Sequence, residues 1–183
     1  LFDIALAAYL LAVFSIPMAI IAALIRLGSI GPALYWSDRI GKDNTVFKMP
    51  KFRTMRHGTP AIATHLLNNP DRYVTPIGRI LRKLSLDELP QLYSVLKGDM
   101  SFVGPRPALF NQGDLVAMRT QKHIHRLVPG VTGWAQINGR DELPIPIKVE
   151  YDEYYLRHRS FGFDLRILGL TIIRVARRSG VTH

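Results

Sequence analysis

The sequence predicts a mainly helical α/β protein held at a membrane, with amphipathic helices lying at the interface and a small β-hairpin or sheet beside its functional loops. Three observations carry this. Residues 4–25 are an uncharged run, IALAAYLLAVFSIPMAIIAALI, bracketed by Asp3 and Arg26; as a helix rising about 1.5 Å per residue it measures roughly 33 Å, enough to cross a hydrocarbon core. Ile77, Ile80, Leu81 and Leu84 recur at i, i+3, i+4 and i+7, the spacing of one helix face. Short apolar and aromatic runs, Ala33-Leu34-Tyr35-Trp36 and Thr45-Val46-Phe47, sit among Gly, Pro and turn residues between 28 and 60, which suggests a hairpin.

The chain has 183 residues, one ordinary domain's length, and a net charge of +10. Arginines outnumber lysines 17 to 7, and a planar fork of donors suits phosphate oxygens better than a point charge does. A hydrophobic fraction of 48% is too high for a disordered basic tail. Nucleic acid, phospholipid and phosphorylated substrate are the partners this charge allows. With no cysteine, disulfides, thiolate nucleophiles and Cys-ligated zinc are excluded.

Within the apolar segment, Pro17 removes the hydrogen bond to the carbonyl of Val13 and predicts a kink near its middle. Hydropathy alone favours a spanning helix with a tolerated proline. A helix-break-helix that enters and leaves by one face, with Ser15 satisfying the freed carbonyl, fits the same residues. The segment lacks a basic lead and a clear cleavage site, so a signal peptide fits poorly; the first residue is Leu1, and truncation of the N-terminus is compatible with that. Arg26, Arg39, Lys42, Lys48, Lys51, Arg53 and Arg56 follow, so the positive-inside bias puts the remainder in the cytoplasm.

A loop at 68–71 precedes the helix of Ile77 to Leu84, whose other face carries Arg79, Arg82 and Lys83. Ser85 followed by Glu88 reads as a capping box opening a helix to about Lys97, with Gly98 as its stop. Asp87 and Glu88 then fall in its first turn, where free N–H groups favour carboxylates and routine capping explains them equally well. Residues 164–178 have an uncharged centre between Arg166 and Arg174, Arg177 and Arg178, as in an interfacial or a buried helix. His123 and His125 would share one strand face, a pattern commoner in structural roles than in metal sites.

Two loops bear on chemistry. In 97–107, prolines flank Arg106 and hold it extended, which limits the entropy lost when it grips an anion. In 129–140, Gly130, Gly133 and Gly139 would let backbone N–H groups approach a phosphate, with Arg140 adding charge; a plain turn between strands explains the same glycines. Singly these signals are weak. Together, SLDELPQLYSVLKGDMSFVGPRP at 85–107, PGVTGWAQINGR at 129–140 and FKMPKFRTM at 47–55 resemble the bacterial sugar transferase family, the monotopic polyprenyl-phosphate phosphoglycosyl transferases, and the resemblance extends over essentially the whole chain.

What the resemblance implies is specific. Residues 1–27 are a re-entrant membrane helix broken near Ser15 and Pro17, and 28–183 a membrane-associated catalytic domain on the cytoplasmic face of the bacterial inner membrane. Here Ile16 separates the serine from the proline. Asp87 is the nucleophile that attacks the β-phosphorus of a UDP-sugar and expels UMP; polyprenyl (undecaprenyl) phosphate then takes the sugar phosphate from the aspartyl intermediate. Glu88 assists. Mg2+ is the expected cofactor, with Asp87 as ligand and no separate carboxylate cage. Lys51, Arg53, Arg82, Gly104, Arg106, Thr132, Gln136 and Arg140 are the expected phosphate and nucleotide-sugar contacts. The product would begin a surface glycan such as capsule, O-antigen or glycoprotein glycan, and the segments at 108–112 and 149–155 look most like members using N-acetylated 6-deoxyhexosamine donors. Inner-membrane lipid is a partner, nucleic acid is not, and a homodimer is allowed. The competing readings are a membrane-tethered basic module that binds anionic lipid or nucleic acid without catalysis, and a hydrolase using the same acidic pair.

Overall fold

The computed structural model describes residues 2–56, 58–59, 72–139 and 143–176. The loop at 68–71 and the residues Arg140, Arg177 and Arg178 lie outside them. The elements run α1 (Phe2–Gly28), β1 (Leu34–Ile40), β2 (Val46–Phe52), α2 (Pro76–Lys83), α3 (Gln91–Lys97), β3 (Ser101–Val103), α4 (Gly113–Gln121), β4 (Gly130–Thr132), α5 (Trp134–Ile137), α6 (Ile145–His158) and α7 (Phe161–Ala176). The mainly helical architecture with small sheets is thus present.

Strands β1 and β2 form the expected antiparallel hairpin, with Leu34 opposite Phe52 and Ile40 opposite Val46. Its turn places Asp43 and Asn44 at φ 52° and 59°, a left-handed conformation these two residue types tolerate because their short side chains bond locally. The second sheet pairs β3 and β4 in parallel, Ser101 with Gly130 and Val103 with Thr132. Glycine is required at this crossing: a Cβ on Gly130 would lie 2.1 Å from the Gly104 nitrogen, and one on Gly133 2.1 Å from the Gly104 oxygen. These glycines therefore serve backbone-to-backbone approach between the two loops, a packing reason that the phosphate-cradle expectation did not contain.

One core gathers Phe47 and Met49 of β2, Leu92 and Val95 of α3, Phe102 and Val103 of β3, Val149 and Tyr155 of α6 and Ile167 of α7; a smaller one joins Ile25, Phe52 and Leu81. Helix α1 bridges them. Leu6, Ala7, Leu10 and Leu11 pack on the first, and Met18, Ile21, Ala22 and Ile25 on the second. Its opposite face leaves Tyr9, Val13, Ile16, Ile20 and Leu24 exposed. A helix apolar all round that buries only one stripe leaves the rest for an apolar surrounding, and α1 is long and apolar enough to cross a membrane.

Both ends of α1 are tied to the globular part. Near its start Asp3 accepts from the Ser101 hydroxyl at 2.7 Å, and Phe2 meets Phe161 of α7 edge to face. Just beyond its end Arg53 donates to the carbonyls of Ser29, Ile30 and Gly31. The helix stays continuous through Pro17. Ser15 donates to the carbonyl of Ala12 at 2.7 Å and not to that of Val13, because a helical serine reaches back three or four residues and Val13 is only two away.

Three local expectations are corrected in whole or in part. Of the expected face of α2, Leu81 is buried and Ile77 packs beside it, as expected, but Ile80 and Leu84 are exposed and Gly78 completes the inward face: Gly78 lets the helix lie directly on Thr54, where a Cβ would come within 2.1 Å of a backbone oxygen. Ser85 is left-handed with no side-chain capping bond, and Asp87 and Glu88 occupy a 3-10 turn, Leu86–Glu88, ahead of α3. Pro90 has no N–H to give the Leu86 carbonyl, so the expected single helix divides there; Gly98 at φ 89° ends α3 as expected. His123 precedes a 3-10 turn, Ile124–Arg126, and His125 lies within it, so the two do not share a strand face.

Candidate active site

The 3-10 turn presents Asp87, buried with 9% of its surface exposed, and Glu88 beside it. Lys51, at the end of β2, donates its Nζ to Glu88 Oε1 at 2.9 Å, and Arg106, from the Pro-Arg-Pro loop after β3, donates Nη2 to the same oxygen at 2.7 Å. Two cationic heads thus converge on a single anionic oxygen. Burial by itself would raise the Glu88 carboxyl; the charges of Arg106 and Lys51, with a hydrogen bond from each, hold it well below the usual carboxylate range. Arg82 comes from the last turn of α2, its Nε bonded to the Thr54 hydroxyl at 2.9 Å. Burial lowers the pKa of its guanidinium, and the neighbouring Asp87 carboxylate acts in the opposite direction.

Glu88 is therefore ionised at neutral pH and suited to holding cations in place, not to carrying a proton. A carboxyl depressed in the folded state stabilises the fold fully above its unfolded value, about 4.3, and loses that contribution as pH falls below it. Glu88→Gln lacks this dependence. The stability gap between the two proteins, read from thermal melts of detergent-solubilised protein, should be widest near neutral pH and close progressively as pH falls below about 4.3; a constant gap would contradict the ionised assignment.

Three of the expected phosphate contacts thus meet at the acidic pair: Lys51, Arg82 and Arg106. Others are placed elsewhere. Arg53 spends its guanidinium on the carbonyls after α1 and on the Ser29 hydroxyl, because β2 ends at Phe52 and the strand alternation that aligned it with Lys51 stops there. Gly104 is taken up by the β3–β4 crossing. The Thr132 hydroxyl shares a 2.7 Å hydrogen bond with Thr171 of α7. Gln136 is buried with neither atom of its carboxamide bonded to protein. The sequence reading missed Arg119 and Asp152, a buried ion pair between α4 and α6 at 2.6 Å, and Arg39, which donates to the Pro107 carbonyl at 3.1 Å. No motif marks these residues, since their partners lie on other elements.

Among the described residues no group of three or more His, Asp or Glu side chains is arranged to hold a metal. The donor set still fits Mg2+, which is commonly bound by one or two carboxylates plus substrate phosphates and waters. Asp87 is the carboxylate that the family resemblance gives as its ligand, and Glu88 is engaged by Lys51 and Arg106.

A family model described as bacterial sugar transferase matches residues 1–178. The chain is 41% identical over 184 residues to an uncharacterized sugar transferase, EpsL, of Bacillus subtilis, covering 99% of this chain and 88% of that protein. It is 38% identical to the UDP-N-acetylgalactosamine-undecaprenyl-phosphate N-acetylgalactosaminephosphotransferase of Aeromonas hydrophila, over 93% of this chain and 41% of the relative. It is also 38% identical to the UDP-glucose:undecaprenyl-phosphate glucose-1-phosphate transferase of Escherichia coli, over 94% and 39%. The chain thus spans most of one relative and about two-fifths of the other two.

Proposed function

The chain belongs to the bacterial sugar transferase family, and on that premise we propose that it moves a sugar phosphate from a UDP-sugar to a polyprenyl phosphate, undecaprenyl phosphate in bacteria, at the start of a surface glycan. The observation that carries the proposal is the convergence of Lys51 and Arg106 on Glu88 Oε1 beside the buried Asp87. Relatives named as acting on UDP-N-acetylgalactosamine or UDP-glucose and undecaprenyl phosphate support it.

In the first step an Asp87 carboxylate oxygen attacks the β-phosphorus, the bond from that phosphorus to the bridging oxygen breaks, and UMP leaves with the bonding electrons. Lys51 and Arg106, held side by side by Glu88, turn to the phosphate oxygens as charge builds there. In the second step an oxygen of the lipid phosphate attacks the phosphorus of the aspartyl phosphate, releasing polyprenyl-diphosphate-sugar and restoring the Asp87 carboxylate. Arg82 balances Asp87 before and after. A Mg2+ ion on Asp87 would screen the repulsion between carboxylate and diphosphate.

Two-step transfer predicts that protein given UDP-sugar alone releases about one equivalent of UMP and stops, and that adding undecaprenyl phosphate starts turnover. UMP release that needs lipid from the outset would overturn the covalent route, and continuous release into water without lipid would favour a hydrolase.

The same reading places α1 as a re-entrant segment on the cytoplasmic face of the inner membrane. Support comes from its two ends, since Asp3 and Ser29 both bond to the globular part. Cysteines placed at Ile4 and Ile30, both exposed, should be labelled by a membrane-impermeant reagent from the cytoplasmic side alone. Labelling from opposite sides would establish a spanning helix.

A further inference from the structure

Arg106 is held from behind by a device that the reaction does not itself require. Its carbonyl accepts from Arg119 Nη1 at 2.8 Å, while Arg119 Nε and Nη2 both bind Asp152 Oδ2, at 2.9 and 2.6 Å. Both partners are buried, Arg119 with 7% and Asp152 with 1% of its surface exposed. The guanidinium is planar, so fixing two of its nitrogens on Asp152 fixes the direction of the third toward the loop. The next residues are tied as well: Arg39 donates to the Pro107 carbonyl and the Ile40 N–H to that of Ala108. Pro105 and Pro107 restrict their own φ angles, which leaves the peptide after Arg106 as the freedom that the Arg119 bond removes.

Apolar packing leaves some room behind the loop: a pocket of about 30 Å³ is lined by Ala108, Val116, Ile124 and Leu127 together with Arg119 and His125, whose Nδ1 has no protein partner. A buried ion pair is also a poor way to gain stability alone, because an apolar pair of the same volume commonly does as well.

We propose that Arg119 and Asp152 are positioning residues for Arg106, aiming its guanidinium at the phosphate site by holding the loop backbone. The proposal rests on the reading of Arg106 as a phosphate contact. It is tested by a double-mutant cycle on the full chain, measuring UMP release from UDP-sugar with undecaprenyl phosphate for Arg119→Lys, Arg106→Ala and the double variant.

Arg119→Lys should lower kcat/KM about 10- to 100-fold, since a misplacement of about an ångström has effects of that size. It should change KM for the UDP-sugar in the same direction as Arg106→Ala does. In the Arg106→Ala background the same substitution should cost about twofold or less, because the group it acts through is gone. Equal losses in both backgrounds, or a split of the loss between kcat and KM unlike that of Arg106→Ala, would show a role in folding alone and overturn the proposal. If Arg106→Ala by itself changes kcat/KM less than about twofold, the phosphate role of Arg106 fails, a separate outcome. Should Arg119→Lys not fold, Asp152→Asn keeps the shape and an acceptor oxygen, and the cycle with it is read by the same criteria.

Discussion

Asp87→Asn should abolish the burst of UMP released from UDP-sugar alone and lower lipid-dependent turnover by roughly 10⁴-fold or more, the scale of losing a nucleophile. The substitution is nearly isosteric. The residue is 9% exposed on its 3-10 turn, so the carboxamide fills the same space and the melting temperature should change little. What is lost is the anionic oxygen that can bond phosphorus, together with the negative charge facing Arg82. The check is twofold: UMP counted in the first turnover, and sugar label retained on denatured protein, present in the parent and absent in Asp87→Asn. A normal burst from the variant would remove Asp87 from the nucleophile role. A membrane-tethered basic module without chemistry would show no burst in either protein, with salt-sensitive binding indifferent to position 87.

Gly130→Ala should be the most damaging single methyl group in the described part of the molecule. The added Cβ would sit 2.1 Å from the Gly104 nitrogen, just past β3, and 2.4 Å from the Thr132 oxygen of β4, and both are backbone atoms, unable to rotate away. Overpacking of a core costs about 1–3 kcal/mol when side chains can shift; here relief requires separating β3 from β4, so about 3 kcal/mol or more is expected. For a chain of this size that corresponds to a melting midpoint roughly 6–12 °C lower. Because β3 leads directly into Gly104 and Arg106, activity measured well below the melt should fall too. A variant with unchanged melting and unchanged kcat/KM would mean that this crossing does not position the loop.

Several features were legible from residue order alone. The hairpin follows from short apolar and aromatic runs among Gly, Pro and turn residues, and the end of α3 from Gly98, because these are decided within a few residues. The start of α3 was misplaced: Ser85 and Glu88 have the spacing of a capping box, yet Pro90 divides the run, and Ser85 adopts φ 56° without capping anything. The face of α2 is only half legible, Ile77 and Leu81 packing inward while Ile80 and Leu84 do not. Apolar periodicity picks the face with the most carbon, whereas the helix packs where Gly78 permits the closest approach to Thr54. Lys51 and Arg53 belong to one short motif, but Lys51 reaches Glu88 and Arg53 reaches the carbonyls after α1.

Residue order carries the inventory: an apolar segment with a proline in its middle, an excess of arginine, an acidic pair and three ordered motifs of a sugar transferase. Each depends on residue type and local spacing, which the chain carries without folding. Which cations serve the acidic pair and which serve the scaffold is set by folding. Lys51 is 37 residues from Glu88, Arg106 is 18 residues from it, and Arg119 is 33 from Asp152. A hydrogen bond is made within about 3 Å whatever the separation along the chain, so the choice among seventeen arginines and seven lysines was settled by the crossing of β3 with β4, the close seat of α2 on Thr54 and the ties at both ends of α1.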